Sequence, residues 1–178
     1  MSCPLDCEYL REARRHEKPV SVDPEQIPNR DVPVSEEFLE EHGKLVTALA
    51  YAVAGAAIHS PGAVDADARE ALRALIRTYR TLESGVYYES RPDNLLATAV
   101  FAAAQEAVAD FRRAEREDLG MSRTRDSDIL KALVFLERVG ISRDNGRPRG
   151  RPFLDALGDF PSGGDHPEPT ASGSLVLP

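Results

Sequence analysis

Between Ser35 and Val139 the apolar residues recur at intervals of three and four, the spacing of one face of an α-helix, and clusters of Ser, Pro and Gly break the rhythm into segments. Ser35 is a good N-cap, and Glu36 and Glu37 follow in the first turn, where carboxylates favour the positive end of the helix dipole. Phe38, Leu45, Leu49, Val53 and Ala56 then line one side until Ser60-Pro61-Gly62. A second helix opens near Asp65, with Leu72, Leu75, Ile76, Tyr79 and Leu82 facing a core and Arg69, Arg73, Arg77 and Arg80 left in water, and Gly85 ends it. Ser90 and Asp93 around Pro92 form a variant of a capping box and predict a long third helix, with Leu96, Val100, Ala103, Ala107 and Phe111 on its stripe. Asp126 or Ser127 caps a fourth. From Ile129 to Val139 that segment is apolar almost all round, the pattern of a central helix, and Gly140 is expected to stop it.

The flanks follow other rules. Residues 1–17 read as a short charged amphipathic helix started by Pro4, and residues 18–34 as an extended linker, because Pro19, Pro24, Pro28 and Pro33 cannot sustain a helix. Residues 142–152 are rich in turn formers, with Asn145-Gly146 as the tightest turn, which makes a small hairpin over 141–147 an expectation. A short helix at Phe153–Leu157 follows, and 161–178 is predicted to be a disordered tail up to Leu175-Val176-Leu177. The chain has no internal repeat. The predicted fold is all-α: a bundle of four main helices over residues 35–160, with short flanking helices and brief connections that favour antiparallel neighbours.

Composition narrows the function classes. Thirty acidic against 22 basic residues give a net charge of −8, which argues against general binding to nucleic acid or anionic membranes. The longest apolar stretch, Leu45 to Ile58, is too short for a bilayer span of about 20 residues. Two cysteines and no apolar leader point to a soluble protein of the reducing cytoplasm.

Candidate chemistry is sparse. No nucleophile elbow, phosphate-cradling loop or Glu-x-x-His pair is present, so neither an enzyme nor a cofactor is expected. Cys3 and Cys7 stand four apart on one helix face, a spacing that admits two thiolate ligands to a soft metal. Arg143, Arg147, Arg149 and Arg151 reverse the local sign of an acidic chain, and Arg147-Pro148-Arg149-Gly150-Arg151-Pro152 resembles the core of an AT-hook. That resemblance implies contact with the minor groove of A·T-rich DNA through its Arg-Gly-Arg. The helix at 129–139 followed by an Arg-bearing Asn-Gly turn also looks like the recognition helix and wing of a winged-helix protein. Tyr87, Tyr88 and Arg91 have the composition of a contact surface, and Leu175 and Leu177 that of an apolar plug for a partner, broadly similar in style to the cargo-targeting tails of encapsulin systems. The function expected from these features is a non-enzymatic helical interaction protein that binds a protein partner or itself, with the Ala-rich face of helix 36–59 as the self-association surface. DNA binding through the Arg loop and metal binding through the cysteines are the alternatives.

Overall fold

The structure, a computed structural model, describes residues 27–160. The predicted helix of residues 1–17, most of the Pro-rich linker, Cys3, Cys7, Leu175 and Leu177 lie outside the described residues. The fold is an all-helical bundle of α1 (Glu36–His59), α2 (Asp65–Glu83), α3 (Leu95–Leu119) and α4 (Asp126–Ser142), with the short α5 (Pro152–Gly158) packed across one end. No strand occurs among the described residues.

Local signals set most boundaries. The Ser35 hydroxyl accepts from the Phe38 amide at 3.2 Å and caps α1. Gly120 takes a left-handed conformation, φ 75°, after α3, as a helix C-terminus commonly requires. The third helix starts later than Ser90-Asp93 predicts: its cap is Asn94, whose Oδ1 accepts from the Leu96 amide at 2.8 Å. Gly140 does not stop α4. The ring of Phe153 lies 3.3 Å from where a Cβ at residue 140 would stand, so this glycine serves close packing of α5 against α4. Because α4 runs on through Ile141 and Ser142, no strand is left to build the expected hairpin at 141–147; only the turn itself, with Gly146 at φ 69°, is present.

One pair of helices departs from the expectation of antiparallel neighbours, which α2 and α4 meet. Asn94, at the start of α3, bonds Asp67 in the first turn of α2, and Asp93 and Asn94 donate their amides to Glu70. Arg112 and Asp126, beyond the middle of α3 and at the start of α4, act on Tyr79 late in α2. Helices α2 and α3 are therefore parallel, and the connection between them must run back along α2. It does so as a strap: the Val86 amide donates to the Thr81 carbonyl at 2.9 Å, Thr81 Oγ1 donates to the Tyr88 carbonyl at 3.1 Å, and the Ser90 amide donates to Thr78 Oγ1 at 3.0 Å. From the Thr81 contact to the Glu70 contact the strap passes 11 residues of helix, about 16 Å at ~1.5 Å each. Tyr88 to Asp93 runs alongside it in an extended course, with the side chains of Thr81, Thr78 and Glu70 reaching out to its backbone.

The core is one cluster. Leu45, Leu49, Val53, Leu72, Leu75, Val100, Ile129, Leu130, Leu133, Leu136, Phe153 and Leu157 are buried in it. Ala50, Ala54 and Ala57 of α1 are buried too, so much of the Ala-rich face serves the bundle's own packing. Three carboxylates are buried among the described residues, Asp65, Asp67 and Glu137. Glu137, only 1 % exposed, accepts from Asn29 Nδ2 at 2.8 Å and from Arg73 Nε at 3.1 Å. Arg80 in turn holds Asn29 Oδ1, and Arg138 donates to the carbonyls of Asn29 and Val32, which fastens the segment before α1 onto α2 and α4. The Arg80 guanidinium also holds the Asp31 carboxyl below its usual range.

Candidate interaction surfaces

Three regions bring chemistry to the surface. The first is the strap. Its backbone is fixed to α2, yet Val86, Tyr87 and Tyr88 are 58, 72 and 64 % exposed, and Leu95 just beyond it is 85 % exposed. Side chains two apart meet on one side of an extended chain. Accordingly the Tyr87 hydroxyl donates to Glu89 Oε2 at 3.2 Å, and Arg91 Nε donates to Glu89 Oε1. Arg91, Tyr87 and Gln105 of α3 together hold the Glu89 carboxyl below its usual range, Arg91 most strongly. The result is a rigid ridge of two tyrosines, Val86, Leu95 and a neutralised Glu89–Arg91 pair.

The second region is the Arg loop between α4 and α5, which is folded tightly. The Gly146 amide donates to Asp144 Oδ1 at 2.9 Å, the Arg147 amide to Asn145 Oδ1 at 3.1 Å, and the Gly150 amide to the Arg147 carbonyl at 2.9 Å. The loop is then tied down from the core side. Asp65 donates its amide to the Gly150 carbonyl at 3.0 Å, and its buried carboxylate accepts from the amides of Phe153 and Leu154 at 3.1 and 3.0 Å. This last pair substitutes for a helix cap, since α5 has none from its own N-terminal residue. Arg147-Gly150 closes a turn here, so the Arg-Gly-Arg is not laid out as a continuous ribbon. Asp144 pairs with Arg69. Arg143, Arg147 and Arg149 are exposed and Arg151 is half-buried at the start of α5. Lys131 sits over the Phe38 ring at 5.4 Å, and Arg138 is engaged by carbonyls, so neither joins these arginines on an open face.

The third region, which sequence reasoning missed, is an open groove of about 810 Å³ where the ends of α1, α3 and α4 meet. His42, Leu45, Phe111, Glu115, Arg125 and Asp128 line it. His42 leaves helical geometry at φ −108° and ψ 17°, and its ring packs on Phe38 with centroids 4.7 Å apart. Its Nε2 lies 4.0 Å from Asp128 Oδ1. The carboxylates here already hold structure. Asp128 accepts from the Arg125 amide at 3.0 Å, and Glu115 accepts from Ser122, the amides of Arg123 and Thr124, and the Thr124 hydroxyl. Burial pushes the Glu115 carboxyl up, but these donors outweigh it and its net shift is downward. No group of three or more metal-ligating side chains converges anywhere among the described residues. No helix among them is long and apolar enough to cross a membrane.

Compared with models of known protein families, with curated proteins and with solved structures, the chain matches none.

Proposed function

We propose that this protein is a non-enzymatic interaction module that self-associates, and that the strap between α2 and α3 is its contact surface. One observation carries this: four large apolar side chains stand in water on a backbone that hydrogen bonds have already fixed. Pre-fixed backbone reduces the ordering entropy that binding must overcome, and tyrosine adds contact area with few rotamers to freeze. The groove at His42 has no such character: its Glu115 and Asp128 carboxylates are engaged in loop closure and capping. Sedimentation velocity over a concentration series tests the assignment. Wild type is expected to associate, and the Tyr87→Ser/Tyr88→Ser double variant to remain monomeric with stability within about 0.5 kcal/mol of wild type, as exposed positions allow. Association that survives the double substitution would refute the strap as the contact surface.

A second function, contact with nucleic acid through Arg143, Arg147, Arg149 and Arg151, draws on the exposure of three of these arginines. Its test is a salt titration of duplex binding with an Arg147, Arg149, Arg151→Ala variant. Salt-sensitive binding lost in the variant supports it, and no binding at low salt removes it.

A further inference from the structure

In an extended chain the amide and carbonyl of one residue point to one edge and those of the next residue to the other. The strap obeys this alternation. Val86, Tyr88 and Ser90 turn their backbone groups toward α2, where Thr81 and Thr78 receive them. Tyr87, Glu89 and Arg91 therefore turn theirs away, and no described residue bonds the amide or carbonyl of any of the three. Among otherwise helical described residues, the strap is thus an extended segment with one backbone edge that no described residue occupies, flanked by apolar side chains. Open edges of this kind template pairing with a second strand.

We propose, building on the contact role given above to the strap, that its occupant is the strap of a second copy, paired antiparallel about a two-fold axis centred on Tyr88. The edge is self-complementary in that register. Tyr87 and Glu89 of one copy exchange backbone hydrogen bonds with Glu89 and Tyr87 of the other. Tyr88 faces Tyr88 across the axis as a closely spaced, non-hydrogen-bonded pair. Each Glu89, already accepting from Tyr87 and Arg91 of its own chain, meets a second Tyr87. A register centred on Glu89 would oppose two carboxylates and is disfavoured for that reason. The area is modest. At ~150–250 Å² per aromatic side chain, the exposed parts of the two tyrosines offer roughly 250 Å² per copy. With Val86 and the backbone the pair reaches roughly 700 Å², the size of a weak, transient contact.

Oxidative cross-linking reads the register directly. With Cys3 and Cys7 replaced by Ser in the full chain, Tyr88→Cys places two sulfurs across the axis at Cα separations near 4.5 Å, within the range a disulfide spans. Val86→Cys places its pair about 13 Å apart, beyond reach. Rapid cross-linking of Tyr88→Cys and none of Val86→Cys is the expected result, with wild-type helix content confirming the fold of each. Val86→Cys cross-linking as fast as Tyr88→Cys would overturn the strand register, while association lost in Tyr87→Ser/Tyr88→Ser would still uphold the contact role. A wild type monomeric at every concentration, with the Leu175→Ser/Leu177→Ser variant monomeric as well, overturns both. A wild type that dimerises only after Leu175→Ser/Leu177→Ser substitution identifies the segment around Val176 as the occupant and overturns pairing with a second copy.

Discussion

Asp65 holds the end of the bundle together from an unusual position, and its removal is the sharpest test of the packing described above. Its carboxylate, in a residue only 4 % exposed, is the acceptor for the first two amides of α5, Phe153 and Leu154. Asp65→Ala leaves both buried donors without a partner, at about 1–3 kcal/mol each. Because α5 has only seven residues and its end can fray to admit water, the lower part of that range applies, about 2–3 kcal/mol in all. Asp65→Asn keeps one carbonyl acceptor and should cost about 1 kcal/mol, as a weakened cap does. Urea unfolding followed by helix circular dichroism near neutral pH measures both. The pH dependence adds a second constraint. Burial pushes the Asp65 carboxyl up, against the two amides and Arg69. A carboxyl whose folded value lies above the unfolded one binds more protons in the folded state, so its contribution falls as pH rises through the window just above 3.8. Wild type should therefore lose part of its advantage over Asp65→Asn as pH rises through that window. An Asp65→Ala protein within about 0.5 kcal/mol of wild type would refute the reasoning, since the two amides would then have found other partners.

Other outcomes follow from the same contacts. Glu115 has a lowered folded value, so the stability it contributes is present above its unfolded value of 4.5 and is lost as pH falls through the folded one. Glu115→Gln should flatten that acid limb in urea midpoints taken across the range, and an unchanged limb would count against the role given to the loop at 122–124. Gly150→Ala brings a Cβ to 2.6 Å from Asn145 Oδ1 and 3.2 Å from the Arg147 carbonyl and should cost about 1–3 kcal/mol, as overpacking does. Asn145→Ala removes the nearer clash, so in a double-mutant cycle the pair should cost less than the sum of the singles; strict additivity would show that the turn relaxes elsewhere.

Much of the fold was legible because local signals and burial agree. Ser35 caps α1 as its hydroxyl dictates, the Leu72, Leu75, Ile76 and Tyr79 row is buried, and the nearly all-apolar α4 has no exposed residue before Ser142, though it packs on α1 and α2 and is not surrounded by helices on every side. The failures have a common form: each misread residue serves a partner distant in sequence. Gly140 resembles a helix stop but makes room for Phe153, 13 residues on. Glu137, set in an apolar run, is held by Arg73 and by Asn29, 108 positions away. Ser90 resembles a cap, yet its amide is used by Thr78 to hold the strap, and capping passes to Asn94. Of the candidate site, Tyr87, Tyr88 and Arg91 were visible as composition, and the structure brings them onto one ridge. That the ridge is a strand was not visible, because the alternation that reveals it lies in backbone groups and in which of them α2 occupies.

The strap also behaves as a ruler. Connections at a bundle's ends usually tolerate an added or missing residue, since a little more slack changes nothing in the core. Between Tyr88 and Asp93 five residues pass three turns of α2, pinned at Thr81, Thr78 and Glu70 on the way, so little chain is spare. A one-residue deletion there would pull Asn94 away from Asp67 by about 3.3 Å and slide α3 along α2 by two residues of rise. The axial register of the parallel pair is thus encoded in the number of residues in this segment, and length there is under as strong a constraint as the identity of any core side chain.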